Sequence, residues 1–527
     1  MTSESKGYVD GGAGALSGGH PIGADGLGSK TIGGAIWGAL QVFLSKGLQM
    51  LGTLVIAIFV SKDGFGAAGV AISVATFVAI VNPVAVGDYL VQQQPLSRIV
   101  LRRTQRLGLS ASAISGVFLL GFALAALWLD ASLALVLALA VVSIRPLADT
   151  LFVVPQAILR QQLLFRQIAS VDIVALAVST AVSVAMAISG LGAVSLVAPL
   201  VLASCIRAIA YRRLLTRNAQ HPVRADEFDE APVGRGFTLM AAAQYVHILV
   251  NVVDWPIVWL FRSVSDAGTY YFAWNLSIQA NSVISAQFAQ TLQPVLVLLR
   301  FDPARQIQGF LRSLRVLASI AVPLALLQAA IARPAFHLLF GERWDSAIGG
   351  FVALSIGQSL AFSVGPVLAL LKADGRTALL LKLQSAQLVF SVCALCIGGW
   401  LTRNVSDQGT AIFVIAIAST LQFLVFCPLS VWASLRGRGS EPAAAMLLFL
   451  RPLAAAIIPS VLAFYGAERL DELGSAGRSA ACLVLPVGYL ALYAIMLYAI
   501  DRPGASEVMT VVRATAGRLR QLRPRSR

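Results

Sequence analysis

Lys46 and Arg145 each stand near the middle of a long apolar stretch. A cation at the centre of a bilayer costs roughly 3 kcal/mol or more, so it normally meets a counter-charge or an anionic ligand. Arg145 has Asp149 one helical turn on, which permits an ion pair within its own helix. Lys46 has no acid at i±3 or i±4. Its ammonium suits an anionic ligand such as a pyrophosphate. Asp254 lies in another apolar stretch and is expected either to pair with Lys46 or to titrate during function.

Polar side chains recur around these charges at helical spacing. Gln244, His247, Asn251 and Asp254 are 3, 4 and 3 residues apart, which puts them on one face of a continuous helix. Gln41, Ser45, Gln49 and Thr53 follow at intervals of 4 beside Lys46, and Asn275, Gln279, Ser282, Gln290 and Gln293 share a further face. Amides facing lipid would lack partners, so each stripe must face protein or water. Hydrogen bonding between helices would satisfy any one of them. Three together favour a water-filled cavity, with Lys46, Gln49, Arg145, Asn251, Asp254, Asn275 and Gln279 as its expected substrate-binding residues.

The elements that must position these residues are membrane helices. Of the 527 residues 57% are hydrophobic and only 12% charged, about half the charge of a soluble domain. The apolar residues come in continuous blocks rather than in alternation, so an all-α polytopic protein is expected and not a β-barrel. Fourteen spans are predicted, at 31–61, 66–91, 107–129, 133–159, 169–189, 191–213, 237–262, 268–299, 314–333, 347–371, 379–401, 409–434, 446–466 and 478–500. With the N-terminus in the cytoplasm, 30 of the 40 Lys and Arg fall on the cytoplasmic side and 7 on the other. That split predicts a multi-pass bacterial inner-membrane protein with both termini inside. The net charge of +15 is therefore topological, and no nucleic-acid motif accompanies it.

The chain repeats itself. Phe59-Val-Ser-Lys-Asp-Gly-Phe-Gly66 after span 1 is echoed by Leu260-Phe-Arg-Ser-Val-Ser-Asp-Ala-Gly268 after span 7, each a short hinge with an Asp and a Gly. The expected organisation is a Gly-rich tail (1–30), a six-helix lobe (31–213), a cytoplasmic linker (214–236), a second, parallel lobe (237–434), two added spans (446–500) and a basic tail (501–527). Duplicated lobes are common in alternating-access transporters. Cys393 and Cys396 form C-x-x-C inside an apolar block with no His nearby, so they read as small helix residues rather than a metal or redox pair. No H-E-x-x-H, P-loop or Gly-x-Ser-x-Gly occurs, so no catalytic residue, metal or cofactor is expected.

Several segments carry a family resemblance. They are Gly34-Ala-Ile-Trp37, the Gly66 hinge, Leu90-Val-Gln-Gln93, Pro155-Gln-Ala-Ile-Leu-Arg-Gln-Gln-Leu-Leu-Phe-Arg166, Asn251 and Asp254 with Arg262, Ala267-Gly-Thr-Tyr-Tyr-Phe-Ala273, and Phe340-Gly-Glu-Arg-Trp344. Over roughly residues 30–435 the chain resembles the O-antigen and exopolysaccharide repeat-unit flippases of the multidrug/oligosaccharidyl-lipid/polysaccharide exporter superfamily. It departs in Arg262-Ser-Val-Ser, where the family usually has a Gly before this Arg, and in its long Gly-rich start. The resemblance implies two lobes in a V, a cationic central cavity, and transfer of a lipid-linked oligosaccharide from the inner to the outer leaflet. Membrane lipids, a polysaccharide polymerase and a chain-length regulator are then the expected partners. A drug or metabolite cation antiporter of the same superfamily is the alternative, though twelve spans would be usual there. A membrane-embedded glycan polymerase or ligase comes third, because the outer loops are short.

Overall fold

Apolar runs without internal breakers form helices that satisfy their own backbone, and the structure, a computed structural model, is built from them. It describes residues 51–78, 98–162, 164–217, 235–278, 301–438 and 442–509, with 45, 47–49, 292, 296 and 299. No strand occurs among these residues. The first group of helices is α1 (Gly47–Phe59), α2 (Lys62–Val78), α3 (Arg98–Trp128), α4 (Leu133–Val142), α5 (Arg145–Gln161), α6 (Phe165–Ile188) and α7 (Val194–Arg217). The second is α8 (Arg235–Val250), α9 (Asp254–Phe261), α10 (264–278), α11 (Pro303–Ala330), α12 (Ala332–Phe340), α13 (Asp345–Gln358), α14 (Val364–Ala373), α15 (Thr377–Thr402) and α16 (Gln408–Leu435). Then come α17 (Pro442–Asp471), α18 (Gly474–Leu483) and α19 (Leu485–Ile500), which pack on α11 and α12.

Among the described residues nine helices are long and apolar enough to cross a membrane, and eleven if each of two bent pairs counts as one span. Those eleven coincide with expected spans 3–7 and 9–14. Spans 1, 2 and 8 run over residues outside those described, as do Lys46 and Gln279.

Two pairs of helices are bent. α8 and α9 meet at 44°, and a 46° bend separates α13 from α14. At the first, Pro256 stands in the first turn beyond the break. Proline clashes with the carbonyl four residues back and removes one hydrogen bond, so the helix ends just before it. The straight helix assumed for Gln244, His247, Asn251 and Asp254 is thus corrected. Asp254 belongs to the far side of the bend, and the four do not share one face.

Packing within each group relies on small residues, as it must where lipid offers no hydrophobic drive. Gly350 lies against Ile412 and Gly357 against Thr420 where α13 meets α16, and Gly398 lies against Ala418 where α15 meets α16. Asp302 and Asp407 cap α11 and α16 by accepting from the amides of Arg305 (3.2 Å) and Thr410 (2.7 Å), caps typically worth about 1 kcal/mol.

Candidate functional site

The two groups meet most tightly at the end that carries the Lys62, Arg262 and Arg343 loops, here called the arginine-poor end. The first residue of this contact is glycine on both sides. A Cβ on Gly66 would strike the Val264 carbonyl, and one on Gly268 the Lys62 carbonyl. The two repeated hinges therefore cross each other backbone to backbone, which only glycine permits. Phe65, Phe272 and Trp344 fill the space beside the crossing. Trp344 is fully buried, with its ring 5.4 Å from Phe65 and 3.9 Å from Phe272.

Charged side chains reinforce the closure. Lys62 Nζ donates to Ser346 Oγ (2.8 Å) and Gln408 Oε1 (3.0 Å), both on the second group. Gln408 Nε2 in turn donates to Asp266 Oδ1 (2.8 Å). Arg343 reaches the other way. Its guanidinium donates to the carbonyls of Ile58 and Val60, each at 2.6 Å, while Trp344 Nε1 donates to Ala57 (3.3 Å). These are carbonyls at the carboxyl end of α1, which have no partner inside the helix, and a cation there also meets the negative end of its dipole. Arg262 pairs with Asp266 (2.9 Å) and donates to the carbonyls of Thr402 and Val405 (2.5 and 2.8 Å), so it fastens its own hinge to the end of α15.

Deeper along the interface the two groups stay linked. Ser73 donates to the Val252 carbonyl and Tyr245 to that of Phe77. Tyr271 lies against Gly69 of α2 and is half-buried. Asn275, one turn on, is also half-buried and donates through Nδ2 to the Tyr271 carbonyl (3.1 Å). Arg145, at the start of α5, is half-buried and pairs with Asp149 at 3.4 Å, and Ser204 donates to that carboxylate.

The remaining expected residues are placed differently. Gln49 is exposed on α1, and its carbonyl accepts from Thr53. Asn251 is half-buried at the break and donates to the His247 carbonyl (2.7 Å), so it terminates α8. Asp254 is covered inside the second group, where Oδ2 accepts from Tyr270 (2.5 Å) and Ser419 (2.6 Å) while Oδ1 has no partner. His247 bonds to Gln384 (3.2 Å) and Gln387 to Gln422 (3.1 Å), continuing a polar row within that group. Arg207 pairs with Asp172 (2.9 Å) over the Phe152 ring, and Tyr211 donates to the same carboxylate (2.7 Å).

Sequence reasoning missed the closing role of Lys62 and Arg343, counting both only as outer-side cations. It also assigned no role to Trp255, Tyr271 or Trp274. Tyr271 and Trp274 are three residues apart on α10, and that helical spacing was the available signal.

Known proteins share this architecture. A lipid II flippase, MurJ, in an inward closed conformation superimposes with a TM-score of 0.61 over 88% of this chain and 98% of that one, at 11% identity. An inward-facing multidrug resistance MATE family transporter of the MOP superfamily gives 0.53 over 76% and 96%, at 13% identity. In sequence, the lipopolysaccharide biosynthesis protein WzxC of Escherichia coli strain K12 is 21% identical over 76% of this chain and 81% of its own length. The succinoglycan biosynthesis transport protein ExoT of Rhizobium meliloti strain 1021 is 24% identical over 61% and 65%. The family described as "Polysaccharide biosynthesis protein" matches residues 55–349, more than half of the sequence, and the chain belongs to that family.

Proposed function

We propose that this protein flips a polyprenyl-pyrophosphate-linked oligosaccharide repeat unit from the inner to the outer leaflet of the bacterial inner membrane, for surface polysaccharide biosynthesis. The observation that carries the reading is the latched end of the two packed helix groups. Gly66, Gly268, Lys62 and Arg343 hold that end together, while Arg145, Tyr271 and Asn275 stay only half-buried. The curated relatives act in lipopolysaccharide and succinoglycan synthesis, and a structural relative flips lipid II.

In this reading the groups are two parallel six-helix lobes, 31–213 and 237–434, joined by the linker 214–236 and supplemented by 446–500. The arginine-poor end is periplasmic and both termini are cytoplasmic, in keeping with the distribution of basic residues. The head group enters from the cytoplasmic side. Its pyrophosphate settles near Arg145 and Lys46, where charge-assisted hydrogen bonds offset lost hydration. The polyprenyl chain stays in the hydrocarbon, because withdrawing it would cost about 0.8 kcal/mol per methylene. Release of the latch then exposes the head group to the periplasm, where a polymerase and a chain-length regulator receive the product.

The test is genetic and chemical together. Deleting the gene should abolish surface polysaccharide and leave lipid-linked repeat units inside the cell. Intact polysaccharide with altered drug sensitivity would replace this reading with the cation antiporter.

A further inference from the structure

Helix α10 keeps one open face. Tyr271, Trp274, Asn275 and Ile278 stand at i, i+3, i+4 and i+7 and are each half-buried, whereas 272, 273, 276 and 277 are buried. The face turns toward the first lobe. Tyr271 meets α2 at Gly69. Trp274 is held on Trp255, whose helix also packs on α2. The stripe therefore begins where the two lobes meet.

Its two rings are braced from behind. Trp255 is almost wholly buried and meets both edge to face, at 4.7 Å and 85° for Tyr271 and at 5.2 Å and 82° for Trp274. Such perpendicular pairs fix ring orientation. The rings sit just inside the latch, since Phe65 lies 6.3 Å from Tyr271 and belongs to the Trp344 cluster. The result is two ordered, half-buried rings with the Asn275 amide beside them, close to the latch.

We infer that Tyr271 and Trp274 form a stacking platform for the saccharide, and that they set which repeat unit is accepted. The inference rests on the flippase reading and adds to it the place where the sugar is held. A pyranose ring has a polar rim and apolar C–H faces. Aromatic surface accepts the faces, while Asn275, with two amide donors and a carbonyl acceptor, meets the hydroxyls. A head group that leads with its sugar would bring the sugar to the latched end.

Two probes test this with the full chain in nanodiscs, read by native mass spectrometry. One is undecaprenyl pyrophosphate without sugar. The other is the glycosylated carrier extracted from cells lacking the gene. Wild type should bind the glycosylated carrier at least tenfold more tightly than the bare one. Trp274→Ala and Tyr271→Ala should lose that preference yet hold the bare carrier as wild type does, and Trp274→Phe should keep most of it. Equal loss for both carriers, or no loss for either, overturns the platform. A wild type that binds the bare carrier just as tightly also overturns it while sparing the flippase reading. Wild type that binds neither carrier overturns both.

Discussion

Removing the Arg343 guanidinium should release the closed end. Its two bonds to Ile58 and Val60 are short, 2.6 Å each. A hydrogen bond from a charged donor contributes roughly 1.5–3 kcal/mol when sheltered. Arg343 is exposed, so screening reduces this to about 1 kcal/mol per bond. The cation at the carboxyl end of α1 adds roughly 0.5 kcal/mol. Arg343→Ala should therefore weaken closure by about 2.5 kcal/mol, a factor of roughly 60 in the ratio of closed to open molecules. Spin labels on Leu129→Cys and Asn404→Cys report this directly. Both positions are exposed at the arginine-poor end, one in each group of helices. In a background lacking the native cysteines, wild type should show one short distance by pulsed electron resonance. Arg343→Ala should add a longer population of comparable size, and Arg343→Lys, which keeps the charge without the fork, should fall between. An unchanged distance distribution in folded Arg343→Ala would refute the reasoning and leave Arg343 as a staple for α1 alone.

Other outcomes follow from the same geometry. Gly268→Ala should destabilise the closed form by about 1–3 kcal/mol through overpacking, whereas Gly309→Ala, with open space around it, should leave the thermal midpoint unmoved or raised. Asp254→Leu should cost about 2–4 kcal/mol in thermal unfolding, because it strands the Tyr270 and Ser419 hydroxyls; Asp254→Asn, which keeps an acceptor, should cost less than half of that. Lys46→Ala should insert normally yet export little polysaccharide per folded molecule, and Lys46→Arg should restore part of it; wild-type export in Lys46→Ala would remove the residue from the site. An impermeant maleimide applied outside intact cells should label Asn404→Cys and spare Arg436→Cys, and the reverse pattern would invert the orientation.

The spans were legible because hydrocarbon imposes a length and an apolar composition that few sequences meet by accident. The hinges at Gly66 and Gly268 were legible as a repeat, since the same small residues recur about 200 positions apart. That the two touch each other was not, because a contact between distant segments leaves no local pattern. Asp254 shows how spacing misleads. Its intervals from Gln244 fit one helical face only while the helix is straight, and Pro256 ends that helix just upstream of itself. Tyr271 and Trp274 left only their spacing as a signal, for another reason. In an apolar run an aromatic ring adds hydrophobicity whether it is packed or presented, and only the fold distinguishes the two.

The crossing of Gly66 and Gly268 also limits how the two halves of the gene can diverge. Elsewhere in an interface a larger residue on one side is accommodated by a smaller one opposite. Here both partners already lack a side chain, and each opposes a main-chain carbonyl that no substitution can shorten. Whatever changes elsewhere in the interface, these two positions are therefore bound to remain glycine.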